Sequence, residues 1–292
     1  MRRPELRRGW TTVRLFSGLG NQLFQYAAGR AVAEQTGTKL RFDVSYFGLE
    51  PHRSYALGDF RIRAKLDLSE HKSAEFMADP AAEAAYAAER FGAEVLRQNG
   101  SDFDASILAN APARSFICGY WQSEGYFKSV EGLVRGEVRP RETPAIQAGR
   151  QTIGAAACSV AVHVRRGDLV DDPRMGARFG VLGADYYRRA ARFLLERNTD
   201  AEFFVFSDDP DWCRAELDLP APTRVISGEN APFEDLALIS ACDHAVIANS
   251  SFSWWGAWLG EREGSLIVAP QDAFTGEKAE PAGYYPSRWI RV

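Results

Sequence analysis

The chain is 292 residues long, 46% hydrophobic and 25% charged, which fits a globular protein of two domains or one large α/β domain. A formal net charge of -4 lacks the dominant basic face of a general nucleic-acid binder, although one local basic pocket remains compatible with it. The four scattered cysteines form no C-x-x-C pair, the four histidines show no H-x-x-x-H spacing, and no stretch nears the roughly 20 apolar residues that span a bilayer. A zinc ribbon, a histidine-rich metal site and a transmembrane anchor are therefore not expected. Cys118, Cys158, Cys213 and Cys242 read as reduced, buried small hydrophobes. The basic N-terminus is followed by no apolar signal segment, so the expected location is the cytoplasm, with peripheral attachment at the inner membrane surface as the alternative.

In chain order, 11–16 reads as a strand, 17–20 as a tight turn, a helix starts at Asn21, and 39–44 is a second strand. Asp79 followed by Pro80 predicts a helix over 79–97, and 114–119 is another strand. Pro140 and Pro144 among polar residues make 139–149 the expected linker. A second alternating series follows, with strands at 160–164, 203–206, 225–226, 245–248 and 266–268. Helices are expected at 186–197, from 212, at 233–241 and at 254–259. Alternation of this kind implies parallel sheets covered on both faces. The expected domains are 1–145 and 155–292.

Three segments carry chemistry. In Ser17-Gly18-Leu19-Gly20-Asn21-Gln22-Leu23-Phe24-Gln25, Gly18 and Gly20 at a strand-to-helix turn would let a ligand approach the backbone and the helix N-terminus. Asp43 ends the next strand where a ribose-binding acid of a dinucleotide site would sit, but Leu23 replaces the third glycine and would hold the helix off the sheet. In Val160-Ala161-Val162-His163-Val164-Arg165-Arg166-Gly167-Asp168, an apolar strand ends in a histidine and two arginines, where ligands bind such sheets. A guanidinium fork matches a pair of pyrophosphate oxygens and stays charged at any working pH. Asp168 reads as the carboxylate that orients an arginine. In Phe206-Ser207-Asp208-Asp209-Pro210, Asp209 reads as a helix cap, which leaves Asp208 without a structural task and free to accept hydrogen bonds from guanine. Ser250 and Ser251, before an apolar helix, make a capping and phosphate-binding N-terminus, while Trp254, Trp255 and Trp258 read as core.

These segments, together with Gly119-Tyr120-Trp121-Gln122-Ser123-Glu124 and Asn249-Ser250-Ser251-Phe252-Ser253-Trp254-Trp255-Gly256, resemble in order the motifs of the α-1,2-fucosyltransferases of glycosyltransferase family 11. The likeness spans residues 13–259, and 45–110 match none of its motifs. It implies an α/β protein of GT-B type, two Rossmann-like domains with a cleft between them, the first on the acceptor side and the second binding GDP-fucose. It further implies that Arg165 and Arg166 hold the pyrophosphate, His163 and Asp208 read guanine, Ser250, Ser251 and Phe252 touch phosphate or ribose, and Asn21 lies near the reacting sugar. The implied partners are GDP-fucose and a galactose-containing glycan, with no metal and no cofactor. The implied reaction is a single inverting displacement, which places two reactants in line and stabilises charge on departing GDP.

Asp43 and Glu124 are the candidates for a base that takes the acceptor's proton. The rival readings are an NAD(P) oxidoreductase using the first glycine turn, a non-catalytic sugar-binding module, and a metal-dependent transferase using Asp102-Phe103-Asp104 or Asp209-Pro210-Asp211.

Overall fold

Strands that are apolar on both faces must pair under helical cover on each side, and the structure, a computed structural model, contains two such sheets. It describes residues 9–48, 51–68, 79–98, 100–226, 230–271 and 280–292. His71 lies outside them. Two compact units result, one of Met1–Arg139 with Pro281–Tyr284 and one of Pro140–Glu280 with Tyr285–Val292. Residues 140–145, expected in the first domain, therefore fall in the second unit, and Pro281–Tyr284 fall in the first.

In unit one the strands β1 (Trp10–Arg14), β2 (Lys39–Asp43), β3 (Lys65–Asp67), β4 (Glu94–Arg97) and β5 (Ser115–Cys118) form an all-parallel sheet in the order β3-β2-β1-β5-β4. Its helices are α1 (Leu19–Thr36), α2 (Pro80–Phe91), α3 (Ser106–Ala109) and α4 (Glu131–Glu137). Leu23 does not hold α1 off the sheet. Further along, a Cβ on Gly29 would stand 2.2 Å from a Val13 methyl, so Gly29 supplies the close approach instead. Asp79 caps α2 by accepting from the Ala81 and Ala82 N–H groups, with Pro80 in the first turn. The helix is shorter than expected because Gly92 takes the left-handed φ of 59° and ends it, and the chain then re-enters the sheet as β4.

A charge network joins these elements. Arg14, fully buried, donates from Nε to Asp43 at 3.2 Å and from Nη1 to Glu83 at 3.1 Å. Its guanidinium lies 5.0 Å from the Tyr86 ring centre and 4.9 Å from that of Phe116. Glu83 also pairs with Arg97 of β4. Two cations thus meet two anions, and the group is neutral as a whole.

Unit two contains α5 (Pro144–Gly154), β6 (Cys158–Val164), α6 (Gly167–Asp171), α7 (Pro173–Phe179), α8 (Ala184–Leu195), β7 (Ala201–Ser207), α9 (Pro210–Glu216), β8 (Thr223–Val225), α10 (Pro232–Ile239), β9 (His244–Val246), α11 (Ser251–Gly260), β10 (Ile267–Ala269) and β11 (Ile290–Arg291). The expected linker is in part a helix. Thr143 caps α5 through the Ile146 N–H, and Pro144 starts the helix rather than breaking the chain. The sheet order is β11-β10-β9-β6-β7-β8, parallel throughout. Counted from β6, this is the doubly wound order of dinucleotide-binding folds, with its change of direction between β6 and β9. Trp254, Trp255 and Trp258 are fully buried on α11. Cys118, Cys213 and Cys242 are buried and Cys158 partly so, all with free thiols. Among the described residues no helix is long and apolar enough to cross a membrane.

The network in unit one yields a stability prediction. Glu83→Gln leaves Arg14 buried with one fewer counter-charge, and denaturant titration should show a loss of about 3–5 kcal/mol. Arg97→Gln, which removes a partly exposed partner, should cost clearly less in the same assay.

Candidate active site

β6 is buried from Ser159 to Val164 and carries no Lys, Arg, Asp or Glu. Its polar residues therefore collect at the carboxyl end, beside the ends of β7 and β9, where a doubly wound sheet opens a crevice. Each arginine there is already held. Arg165 makes a side-on pair with Asp168, Nε to Oδ1 at 3.2 Å and Nη2 to Oδ2 at 2.8 Å, the orienting role expected of that carboxylate. Arg166 donates from Nε to Asp209 at 3.1 Å, and its guanidinium carbon lies over Trp212, 4.0 Å from the ring centre. Both guanidinium groups keep Nη1 N–H bonds outside these pairs.

Asp208 and Asp209 differ from expectation in an instructive way. Asp209 caps α9 through the Trp212 N–H at 3.1 Å, as expected, and holds Arg166 as well. Asp208 has a structural task after all. Its Oδ1 accepts the Arg166 backbone N–H at 2.8 Å, and its Oδ2 lies where a Cβ on Gly167 would come within 2.9 Å. It ties the end of β7 to the end of β6, and a side chain at Gly167 would have to displace its carboxylate.

His163 is the last inward-facing polar group of β6. Burial, reinforced by the Arg165 charge, pushes its pKa down to about 3, so it is neutral at ordinary pH. Its Nδ1 has no hydrogen-bond partner among the described residues, and its ring sits 5.3 Å from that of Phe252 in the first turn of α11. Ser250 caps that helix through the Phe252 N–H at 3.3 Å, and Ser251 opens it. Asn249 donates to the Phe179 and Gly180 carbonyls and ties the segment after β9 to the end of α7. Thus His163, Arg165, Arg166, Asp208, Ser250, Ser251 and Phe252 gather on the strand ends and helix start of one unit.

Gly18, Gly20, Asn21, Asp43 and Glu124 belong to unit one. The left-handed residue of the β1–α1 turn is Ser17, with φ 66°, and not a glycine; Gly18 is extended and Gly20 already lies inside α1. Buried amides hold this turn. Gln22 donates to the carbonyls of Ser17 and Ser54, both at 2.9 Å, and accepts from the Ala56 N–H, while Gln25 accepts from the Phe16 N–H at 3.1 Å. Amides buried on an otherwise apolar helix were the signal in the sequence for this bracing. Asp43 is 1% exposed and committed to Arg14, Ser45 and Tyr86, which removes it as a base. Glu124 opens a short 3₁₀ turn with Lys128 at 3.8 Å.

The two Asp-x-Asp pairs do not converge. Asp102 accepts from the Ala282 N–H and Asp104 from Ser106, while Asp211 pairs with Arg214 on the surface. Among the described residues no group of three His, Cys, Asp or Glu side chains is placed to hold a metal ion.

An all-parallel doubly wound unit with a guanidinium pair at its switch point is suited to an anionic ligand. A solved structure of a mutant of Arabidopsis thaliana FUT1 in complex with GDP shares the fold at a TM-score of 0.54 and 14% identity, covering 92% of this chain and 72% of that one. The chain belongs to glycosyl transferase family 11, whose model matches residues 2–292. An alpha-1,2-colitosyltransferase of Escherichia coli is 31% identical over 288 residues, 96% of this chain and 97% of that protein. A galactoside alpha-(1,2)-fucosyltransferase 1 of Lagothrix lagotricha is 33% identical over 103 residues, 34% of this chain and 28% of that protein. Glycosyl transfer is the activity that membership of the family gives this chain, and the oxidoreductase and binding-module readings fall away with it.

The buried histidine generates a pH prediction. Its pKa lies below the ordinary value near 6.5, so the unfolded chain takes up the proton first. The folded state should lose stability as pH falls from about 6.5 toward 3. His163→Gln should remove that part of the decline, and unfolding curves of both proteins across this window are the check.

Proposed function

We propose that the enzyme transfers L-fucose from GDP-β-L-fucose to the 2-hydroxyl of a galactose in a glycan acceptor, with inversion at the anomeric carbon. The observation that carries this reading is the braced guanidinium pair, Arg165 on Asp168 and Arg166 on Asp209 and Trp212. Charge grows on the diphosphate as the bond to fucose breaks, and donors fixed beforehand stabilise it without reorganisation. Arg165 and Arg166 take the pyrophosphate, the start of α11 at Ser250 and Ser251 takes a phosphate oxygen, and Phe252 with neutral His163 borders the nucleoside. Asp208 acts through the Arg166 backbone. No cofactor or metal is assigned, because the arginines do the neutralising. Asn21 lies at the reacting sugar, and Glu124 stays the candidate base once Asp43 is committed to Arg14.

The α-1,2 linkage is supported by its occurrence in both relatives, and the galactose acceptor by the second. Colitosyl transfer is the second reading, since the colitosyltransferase matches over nearly its full length.

Two experiments test the proposal. Purified enzyme should fucosylate a β-galactoside from GDP-fucose after dialysis against a chelator, with an α-1,2 linkage by NMR; preference for the corresponding colitose donor would favour the second reading, and dependence on added metal would refute the arginine-only account. Arg165→Ala and Arg166→Ala should each lower kcat/KM roughly hundredfold, about 3 kcal/mol. Lysine at either position should restore only part of the rate, because an ammonium lacks the planar fork.

A further inference from the structure

The arginine pair lies at the carboxyl ends of the strands of unit two, whereas the amino ends of the strands of unit one carry a charge cluster that it does not use. Trp10, Lys39 and Lys65 are the first residues of β1, β2 and β3, and the register sets Trp10 beside Lys39 and Arg41 beside Lys65. Side chains alternate along a strand, so Trp10, Lys39, Arg41 and Lys65 stand on one face of the sheet. Three cations gather on the indole. Lys39 Nζ lies 5.9 Å from its ring centre, the Arg41 guanidinium carbon 4.7 Å and Lys65 Nζ 5.8 Å. Helix α2 ends at Phe91, whose ring meets the same Arg41 guanidinium at 5.4 Å. Lys39 and Lys65 stay exposed, and Trp10 partly so.

These cations have no carboxylate of their own. Among the described residues Lys39, Arg41 and Lys65 form no ion pair, and Asp67, whose charge reaches Arg41, is held by Arg90 at 3.0 Å. Exposed Arg63 stands two residues before Lys65 and adds a fourth cation at the sheet edge. Unpaired like charges this close repel one another. A chain of net charge -4 that gathers them at one end gives that end a complementarity for anions which the rest of it lacks.

We propose that the amino end of this sheet is a docking surface for an anionic lipid bilayer, with Lys39, Arg41, Arg63 and Lys65 meeting headgroup phosphates and Trp10 at headgroup level. Cations spread along a rim suit a surface of many phosphates better than a single ion. Indole rings favour the boundary between headgroups and water, and the long stems of lysine and arginine let their charges reach it. A single-stranded nucleic acid would need rings open for stacking, and this indole is already engaged by cations. Docking by the amino ends leaves the carboxyl ends of the same strands, where ligands enter such sheets, clear of the bilayer. The assignment is independent of which donor and acceptor the enzyme uses.

Cosedimentation with vesicles tests it. The wild type should bind mixed phosphatidylcholine–phosphatidylglycerol vesicles but not phosphatidylcholine alone, and binding should fall as salt is raised. Lys39→Gln with Lys65→Gln should weaken binding about thirtyfold, the share of two lysines near an anionic surface. The same pair changed to arginine should bind as wild type does. Arg189→Gln with Arg192→Gln removes equal charge from the exposed face of α8 and should leave binding unchanged. Every variant should keep wild-type transfer to a soluble acceptor, and the Lys39/Lys65 glutamine variant should unfold at no lower temperature, because repulsion is relieved. Equal binding to neutral vesicles, no loss in the Lys39/Lys65 variant, or an equal loss in the α8 variant overturns the assignment. So does release from mixed vesicles by inorganic phosphate at constant ionic strength, which marks a free-anion site, or retention on single-stranded RNA with none on vesicles, which marks a nucleic-acid surface.

Discussion

A parallel sheet under helices on both faces has no wet side, and every polar group that the chain must present to a ligand is driven to the strand ends. In unit two the consequence is concentrated on three adjacent strands. β6 delivers His163 and the arginines, β7 delivers Asp208 and Asp209, and β9 leads to Asn249 and Ser250. Because the ends are neighbours, they satisfy one another: the Asp208 carboxylate holds the Arg166 backbone, and Asp209 holds its side chain. The first turn of α11, capped by Ser250, arrives at the same place.

For the diphosphate proposed as ligand, this arrangement lowers the cost of binding in advance. Long cationic side chains lose rotamer freedom when they bind an anion. Here the Arg166 guanidinium lies over Trp212 and Arg165 is paired side-on with Asp168, so part of that freedom is already gone. Unit one follows the same logic with different chemistry. Its buried Arg14 is a matter of stability, enclosed by Asp43, Glu83 and two aromatic rings, while the amides of Asn21 and Gln122 link the start of α1 to the loop after β5.

What could be read from the sequence was local. Periodicity gave the long helices and the core strands because side-chain repeats lie within one element. The cap at Asp209 and the tryptophan core of α11 were legible for the same reason. The tasks of the carboxylates were not, since their partners lie far along the chain: Asp43 answers Arg14, 29 positions away, and Asp208 answers Arg166, 42 positions away. An aspartate at a strand end looks identical in sequence whether it awaits a ligand or braces a neighbour. The two-residue β11, the three-residue β3 and the short α6 and α7 carry too few residues to show a period. The turn over 17–20 was legible, but that its left-handed residue is Ser17 rather than a glycine is set by the surrounding structure and not by the local pattern.

The chain's brief return to unit one has a bearing on how the molecule can be taken apart. Pro281–Tyr284 belongs to the first unit although it follows 141 residues, Pro140–Glu280, of the second. It is integral there: the Ala282 carbonyl accepts from the Phe103 N–H, its N–H donates to Asp102, and Tyr284 is buried with its ring 6.5 Å from that of Phe24. No single cut therefore releases an intact first unit. A fragment ending at Arg139 would leave a gap beside Phe24, and a chimera that exchanges one unit for a relative's must carry this four-residue segment across with the residues it pairs to.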